Sequence, residues 1–221
     1  MSHLFPAMKL TKTHLAVGII LLVLIADQLL KIYVKTHMMI GDEIHLVRNK
    51  IIIHFTENNG MAFGIQLGGE FGKLALSLFR IIAVAVIGFY LSKLVKQNAP
   101  AGVIIGVALI LAGAAGNIFD SLFYGVIFDD SYGKIATLFP PGGGYSSFLH
   151  GRVVDMLYMP VIQTVWPKWI PFVGGTELIF FRPVFNLADT AITTGVLYIL
   201  IFQRRFFAQP VPAKSSEETV Q

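Results

Sequence analysis

The chain has 221 residues, of which 55% are hydrophobic and only 14% are charged, and its formal net charge is +4. Soluble domains carry about a quarter charged residues, so this composition predicts a chain whose main solvent is lipid. The basic surplus is typical of cytoplasmic helix ends, and no nucleic-acid partner is expected. Because the chain has no cysteine, disulfides, thiolate metal sites and cysteine nucleophiles are excluded.

Four apolar stretches are each long enough to cross a bilayer, which takes about 20 residues. In chain order they cover residues 15–34, 74–95, 101–119 and 184–202. Basic residues flank them at three places, namely at Lys12, at Lys93 and Lys96, and at Arg204 and Arg205. Four crossings bring these places to one side, which the positive-inside rule makes cytoplasmic. Both termini are therefore expected inside, with long outer loops at 36–70 and 121–183.

The outer loops have features of their own. Residues 44–55 are rich in β-branched residues with partial alternation, which predicts a small sheet on the outer membrane surface. The polar tail at 209–221 is expected to be a disordered cytoplasmic segment. The predicted fold is thus an all-α integral membrane protein with four transmembrane helices, a small extracytoplasmic β-sheet and long outer loops, forming a single domain over 1–208.

Polar side chains converge near the outer end of the predicted helices. Four carboxylates and two carboxamides share that depth: Asp27, Asn117, Asp120, Asp155, Asn186 and Asp189. All but Asp155, which lies in the second outer loop, belong to the ends or outer halves of spans. Ionisable groups inside a membrane cost about 2.5–3.5 kcal/mol each on insertion scales, so each requires an explanation.

Several of these residues also have a plain structural explanation. Asp27 can pair with Lys31 one helical turn away, and Asn117 and Asn186 can form hydrogen bonds between helices. Arg80 can either extend to the membrane surface or neutralise one of the acids.

The plain explanation is weakest for Asp155, which follows two valines and precedes Met156 and Leu157, and for Asp189, one turn into a span. Two neighbouring carboxyl groups can share one proton and hydrolyse a peptide bond without a metal. No metal or other cofactor is expected, and the sequence leaves open which aspartate is the base. The main alternative is a proton-coupled small membrane transporter, whose acids would lie near the bilayer midplane; a non-enzymatic scaffold would leave the converging acids unexplained.

Five short motifs occur in an order that is found in one enzyme family. They are Asp27-Gln28-Leu29-Leu30-Lys31, Asn58-Asn59-Gly60-Met61-Ala62-Phe63-Gly64, Gly116-Asn117-Ile118-Phe119-Asp120, Val153-Val154-Asp155 and Phe185-Asn186-Leu187-Ala188-Asp189. In these motifs the chain resembles the lipoprotein signal peptidases (signal peptidase II), an aspartyl peptidase family. Each motif alone is weak, whereas the five together are specific.

The resemblance implies a catalytic pair, Asp155 and Asp189. It also implies residues that bind substrate or support the site, namely Asp27, Lys31, Asn58, Gly60, Asn117, Asp120, Arg152 and Asn186. The implied substrate is a diacylglyceryl-modified prolipoprotein, cut just before its lipidated cysteine in the bacterial cytoplasmic (inner) membrane, with the site near the outer leaflet. Membrane lipids, inhibition by globomycin and a monomeric state complete the expectation.

The chain departs from the family pattern in two respects. The family usually has arginine after the acid of the Gly-Asn-x-x-Asp motif, and this chain has Ser121. Arg152 or Arg80 can supply the missing cation, or it is absent. The outer loops before and after Asp155 are also longer than usual, by roughly two dozen residues, which loops accommodate at modest entropic cost.

Overall fold

The computed structural model describes residues 11–59, 69–160, 162–180 and 183–207, so the predicted disordered tail at 209–221 lies outside the described residues. The long helices of this part of the chain are α1 (Lys12–His37), α2 (Gly69–Lys96), α3 (Ala101–Phe119) and α5 (Leu187–Phe202). After α3 the chain continues through a π-helical turn (Asp120–Tyr124) and a short α4 (Gly125–Ile127), and a single turn, α6 (Arg204–Phe207), follows α5.

Three helical segments of the described chain are long and apolar enough to cross a membrane: Lys12–His37, Phe71–Lys96 and Ala101–Ile127. The apolar helix Leu187–Phe202 is shorter, with 16 residues. Large apolar side chains such as Leu22, Phe89 and Leu200 are well exposed on α1, α2 and α5. A lipid environment stabilises such surfaces, which explains why the helices are apolar on faces that touch no other part of the protein.

Helices α3 and α5 approach closely because glycines line their contact. A Cβ atom on Gly113 would lie 2.2 Å from the carbonyl oxygen of Ala188, and one on Gly195 would lie 2.6 Å from the carbonyl oxygen of Gly106. Small residues allow helix backbones to pack this tightly within a membrane. The contact at Gly113 fixes the first turn of α5, where Asp189 lies, against α3.

A four-stranded antiparallel sheet lies next to the helices. Its order is β1 (Glu43–Val47), β2 (Ile51–Asn58), β3 (Val153–Tyr158) and β6 (Val184–Phe185). A separate hairpin consists of β4 (Ile162–Val165) and β5 (Glu177–Phe180). The β-structure predicted at 44–55 is present as β1 and β2. The sheet is completed by β3, from the loop predicted at 121–183, and by β6, which takes up the first two residues of the span predicted at 184–202. Asp155 is therefore a strand residue rather than part of an irregular loop.

Strand β3 is buried on both of its faces. Val154 and Met156 are fully buried and pack with Phe55 of β2 and with Val34 and Met38 at the end of α1. Burial on both faces replaces the period-two alternation of a half-exposed strand with a continuous apolar run. This packing joins the end of α1 to the strand that carries Asp155.

Replacing Gly113 with alanine is expected to destabilise the helix pair, because the added methyl would overlap a backbone carbonyl that cannot rotate away. Overpacking of this kind costs about 1–3 kcal/mol. Thermal unfolding in detergent measures the effect, and Gly18→Ala is the matched control, since a Cβ on Gly18 meets nothing within 4 Å. Equal unfolding midpoints for the two variants would contradict close packing at Gly113.

Candidate active site

A buried ammonium group lies at the centre of the polar cluster. The Nζ atom of Lys31 is 2.9 Å from Oδ2 of Asp27 and 2.8 Å from Oδ2 of Asp120, and all three side chains are at most 1% exposed. Lys31 also donates to Oδ1 of Asn117 at 2.9 Å. Burying a charge is costly unless it is paired, and here one cation is shared by two carboxylates from different helical segments.

The same two carboxylates hold the backbone of neighbouring elements. Oδ1 of Asp27 accepts the backbone N–H of Ala188 at 2.9 Å, in the first turn of α5. Oδ2 of Asp120 accepts the backbone N–H of Val154 at 3.3 Å, in β3. Each of these N–H groups lies one residue before a predicted catalytic acid. The ion pairs of Lys31 therefore fix both backbone segments relative to α1.

Gln28 links the two carboxylates on their other side. Its Nε2 donates to Oδ1 of Asp120 at 2.9 Å and to Oδ2 of Asp27 at 3.1 Å. Its Oε1 accepts the hydroxyl of Tyr124 at 3.0 Å. The π-helical turn brings Tyr124 inward, and such turns are frequent at functional sites. Gln28 was not predicted as a site residue, although its position next to Asp27 in the sequence could have indicated such a role.

Asp155 and Asp189 are joined through a single asparagine. The side-chain amide of Asn186 donates to Oδ1 of Asp155 at 2.8 Å, and its backbone N–H donates to Oδ2 of Asp189 at 3.3 Å. Asn117 donates from Nδ2 to Oδ1 of Asp189 at 2.8 Å and accepts from Asn186 at 2.9 Å. Two acids separated by 34 positions in the sequence thus belong to one hydrogen-bonded cluster.

The local chain conformation explains how Asn186 serves both acids. It is the N-cap of α5, and its side-chain oxygen accepts the backbone N–H of Asp189 at 2.9 Å. The carboxylate of Asp189 accepts the backbone N–H of Asn186 in return, which completes a reciprocal capping box. The cap fixes the orientation of Asn186, and its amide group is left free to face Asp155 on β3.

The two acids have different surroundings. Asp155 is 5% exposed, and its burial, together with the negative charge of Asp189, raises its pKa to about 7. Hydrogen bonds from Asn186 and Asn58 and the charge of Lys31 oppose this shift. Asp189 is half-buried and lies at a helix N-terminus, where a negative charge is favoured. Near neutral pH, a proton can therefore reside on Asp155.

Arg152 belongs to a different cluster from the one predicted. Its Nη1 lies 2.9 Å from Oε2 of Glu57 and 2.9 Å from Oδ1 of Asp130. Glu57 also pairs with the buried Lys35, and both contact the hydroxyl of Ser131. This cluster ties the second outer loop to α1 and β2. The roles of Lys35 and Glu57 in this cluster were not predicted, although Lys35 follows Lys31 by one helical turn.

Of the two arginines that could supply a cation near Ser121, Arg152 and Arg80, it is Arg80 that contacts this serine. Its Nη1 donates to Oγ of Ser121 at 3.3 Å, across the interface between α2 and the π-helical turn. Ser121 is buried and donates in turn to the carbonyl of Asn117 at 3.2 Å. The guanidinium of Arg80, not that of Arg152, therefore occupies the neighbourhood of Ser121.

The remaining predicted site residues come from the first outer loop. Asn58 is the last residue of β2 and pairs in register with Val153, two residues before Asp155. Its side chain forms a hydrogen bond with Asp155. Gly60 lies outside the described residues. Asn58 thus brings the end of the first loop to the carboxyl cluster.

Comparison with known proteins gives matches over most of the chain. The family model described as signal peptidase (SPase) II matches residues 19–205. The chain is 50% identical over 194 residues to the lipoprotein signal peptidase of Porphyromonas gingivalis, covering 87% of this chain and 84% of that protein. It is 39% identical over 204 residues to the lipoprotein signal peptidase of Amoebophilus asiaticus, covering 91% and 82% respectively.

The fold is similar to that of a solved bacterial membrane enzyme, determined by the in meso method at 2.3 Å resolution. The TM-score is 0.57 at 24% identity, and the match covers 93% of this chain and 94% of that one. A second such structure, at 1.9 Å resolution, gives a TM-score of 0.54 at 25% identity over 84% of this chain and 90% of that one. The family match extends over most of the sequence and includes every motif that builds the carboxyl cluster. This chain belongs to the lipoprotein signal peptidase (signal peptidase II) family of aspartic peptidases.

Proposed function

We propose that the chain removes the signal peptide from diacylglyceryl-modified prolipoproteins by hydrolysing the peptide bond just before the lipidated cysteine. Asp155 and Asp189 are the catalytic pair of this proposal. The observation that carries it is their common hydrogen-bond partner, since Asn186 contacts one acid with its side chain and the other with its backbone. Two carboxyl groups held in this way can share a proton, which peptide hydrolysis by an aspartyl pair requires.

The two acids take different roles in the proposed reaction. Asp155 holds the shared proton, because its burial and the neighbouring negative charge raise its pKa to about 7. Asp189 acts as the base, supported by the hydrogen bond from the amide of Asn117 and by its place at the N-terminus of α5. Different surroundings for two carboxyl groups commonly divide the acid from the base in this way.

The reaction proceeds in two steps. Asp189 accepts a proton from water while the water oxygen bonds to the scissile carbonyl carbon, and Asp155 donates its proton to the carbonyl oxygen. The tetrahedral intermediate then collapses: the carbonyl re-forms, its proton returns to Asp155, and the C–N bond breaks as Asp189 passes the other proton to the leaving nitrogen. The products are a signal peptide with a new carboxyl terminus and a diacylglyceryl-cysteine with a free amine.

The length of α5 supports a site that lies below the outward-facing surface of the membrane. Its 16 residues rise about 24 Å, less than the hydrocarbon thickness of about 30 Å. We propose that α5 is the fourth membrane crossing and that its N-terminus begins within the outer leaflet. Both termini are then cytoplasmic, in the inner membrane of a bacterium. The diacylglyceryl group of the substrate can then remain in lipid while the attached peptide reaches the catalytic pair. We also propose that the enzyme acts as a monomer and that globomycin inhibits it.

Replacing either acid with its amide is expected to abolish cleavage. Asp155→Asn and Asp189→Asn each preserve the size of the side chain, but remove a group that gains or loses a proton. Loss of general acid–base catalysis lowers rates by on the order of 10²–10⁴-fold. The measurement is cleavage of a synthetic diacylglyceryl-prolipoprotein by purified enzyme in lipid, with unfolding midpoints measured in parallel.

Glu43→Gln is the matched control, because Glu43 is an exposed carboxylate on β1 that contacts only the nearby histidines His45 and His54 among the described residues. It is expected to cleave at the wild-type rate. A folded Asp155→Asn or Asp189→Asn enzyme with near-wild-type activity would remove that residue from the catalytic pair.

The rate is also expected to fall as the pH rises above about 7. Asp155 loses its proton through this range, because its pKa is raised to about 7, and the pair then lacks the acid that polarises the carbonyl. The expected decline of kcat/KM is about tenfold for each pH unit beyond the apparent pKa. Unfolding midpoints across the same range separate this effect from loss of structure. A rate that stays constant from pH 6 to pH 9 would contradict the proposed role of Asp155.

A further inference from the structure

Within the part of the chain that the structure describes, the catalytic pair is close to more negative than positive charge. Asp27, Asp120, Asp155 and Asp189 belong to one cluster, and the two ion pairs of Lys31 are with Asp27 and Asp120. A carboxyl pair that shares one proton still bears one negative charge, which is costly at the boundary of a membrane. The cation that balances this charge has to approach from an element other than α1.

Arg80 on α2 is placed for this purpose. Its guanidinium reaches across to Ser121, whose hydroxyl is fixed by the carbonyl of Asn117. Asn117 itself donates to Asp189, so three successive hydrogen bonds connect the guanidinium with the pair. Among the described acids, Asp189, Asp155 and Asp120 are close enough to interact electrostatically with the guanidinium of Arg80. These include both members of the pair.

The orientation of Arg80 differs from that of an arginine that extends to the membrane surface. The neighbouring side chains Phe79 and Ile82 are exposed toward lipid, whereas Arg80 is partly buried. Ser77, one turn earlier on the same face, is buried and donates to the carbonyl of Leu149 at 3.0 Å. This face of α2 therefore meets the site and its outer loop. A serine at position 121 leaves space for a long side chain from the adjacent helix.

We propose that Arg80 is the positioning cation of the catalytic pair, held in place by Ser121, and that it stabilises the singly charged form in which the pair is active. This inference rests on the proposed function of Asp155 and Asp189. The ionisable groups around the pair are then Asp27 and Lys31 on α1, Arg80 on α2 and Asp120 in the π-helical turn.

The test is the pH dependence of cleavage in Arg80→Gln. Removing a nearby cation makes a carboxylate harder to form, so the pKa of Asp155 rises and the whole pH–rate profile moves to higher pH, by about one unit. At the pH optimum of each enzyme, kcat/KM of Arg80→Gln is expected to be tenfold to a hundredfold below that of the wild type, because the pair loses the charge that stabilises its reactive form. Lys93→Gln, at the other end of the same helix, is exposed and is expected to leave both rate and profile unchanged.

Moving the guanidinium from residue 80 to residue 121 distinguishes loss of a positioned cation from general disruption of the structure. In Arg80→Gln/Ser121→Arg, the guanidinium is attached at position 121, whose serine binds Arg80 in the wild type. The cleavage rate and its pH profile are therefore expected to return toward wild type. Should Arg80→Gln fail to fold, Ser121→Ala releases the guanidinium without removing it and is expected to shift the profile in the same direction, by less.

A wild-type profile in folded Arg80→Gln overturns the inference, whatever its rate. So does a double variant that folds but leaves the profile of Arg80→Gln unchanged, or an unshifted profile in Ser121→Ala. Failure of the proposed function would be seen separately, as a wild-type enzyme that does not cleave the lipidated precursor or as activity in Asp155→Asn or Asp189→Asn.

Discussion

The ion pairs of one buried lysine determine the geometry of the site. Lys31 is fully buried on α1 and contacts Asp27 in its own helix and Asp120 at the end of α3. Each of these charges would be unfavourable if it were buried alone, so the three stabilise one another or none remains charged. The pairing thereby fixes the end of α3 and its π-helical turn against α1, and the rest of the site is built on that junction.

The effect of these ion pairs reaches the proposed catalytic pair through the backbone. The carboxylates that contact the ammonium group also bind the N–H groups of Ala188 and Val154, which precede Asp189 and Asp155. Asn186 then joins the two acids directly. A helix and a strand from distant parts of the chain are therefore aligned by the same charged group. Small displacements of reacting groups are costly for catalysis, on the order of 10²-fold for 1 Å, which explains why a buried ion cluster is retained here.

Local patterns were sufficient for part of this structure. Hydrophobic length predicts the apolar helices, and β-branched residues at 44–55 predict β1 and β2, because both signals depend on neighbours in the sequence. The strand Val153–Tyr158 was not predicted, since burial on both faces removes its alternation. The pairing of Arg152 with Glu57, rather than with the proposed catalytic pair, was not predictable either. It depends on contacts between segments about a hundred residues apart, which leave no local pattern.

The most direct test of this account is the cleavage rate of Lys31→Met, in which the side chain keeps its approximate length and loses its charge. Neither proposed catalytic acid is altered, and Lys31 contacts neither of them directly. If the ammonium group positions the pair, kcat/KM for a diacylglyceryl-prolipoprotein falls by at least about 10²-fold at a temperature where the variant remains folded. A folded Lys31→Met enzyme that cleaves at a rate near that of the wild type would contradict the account.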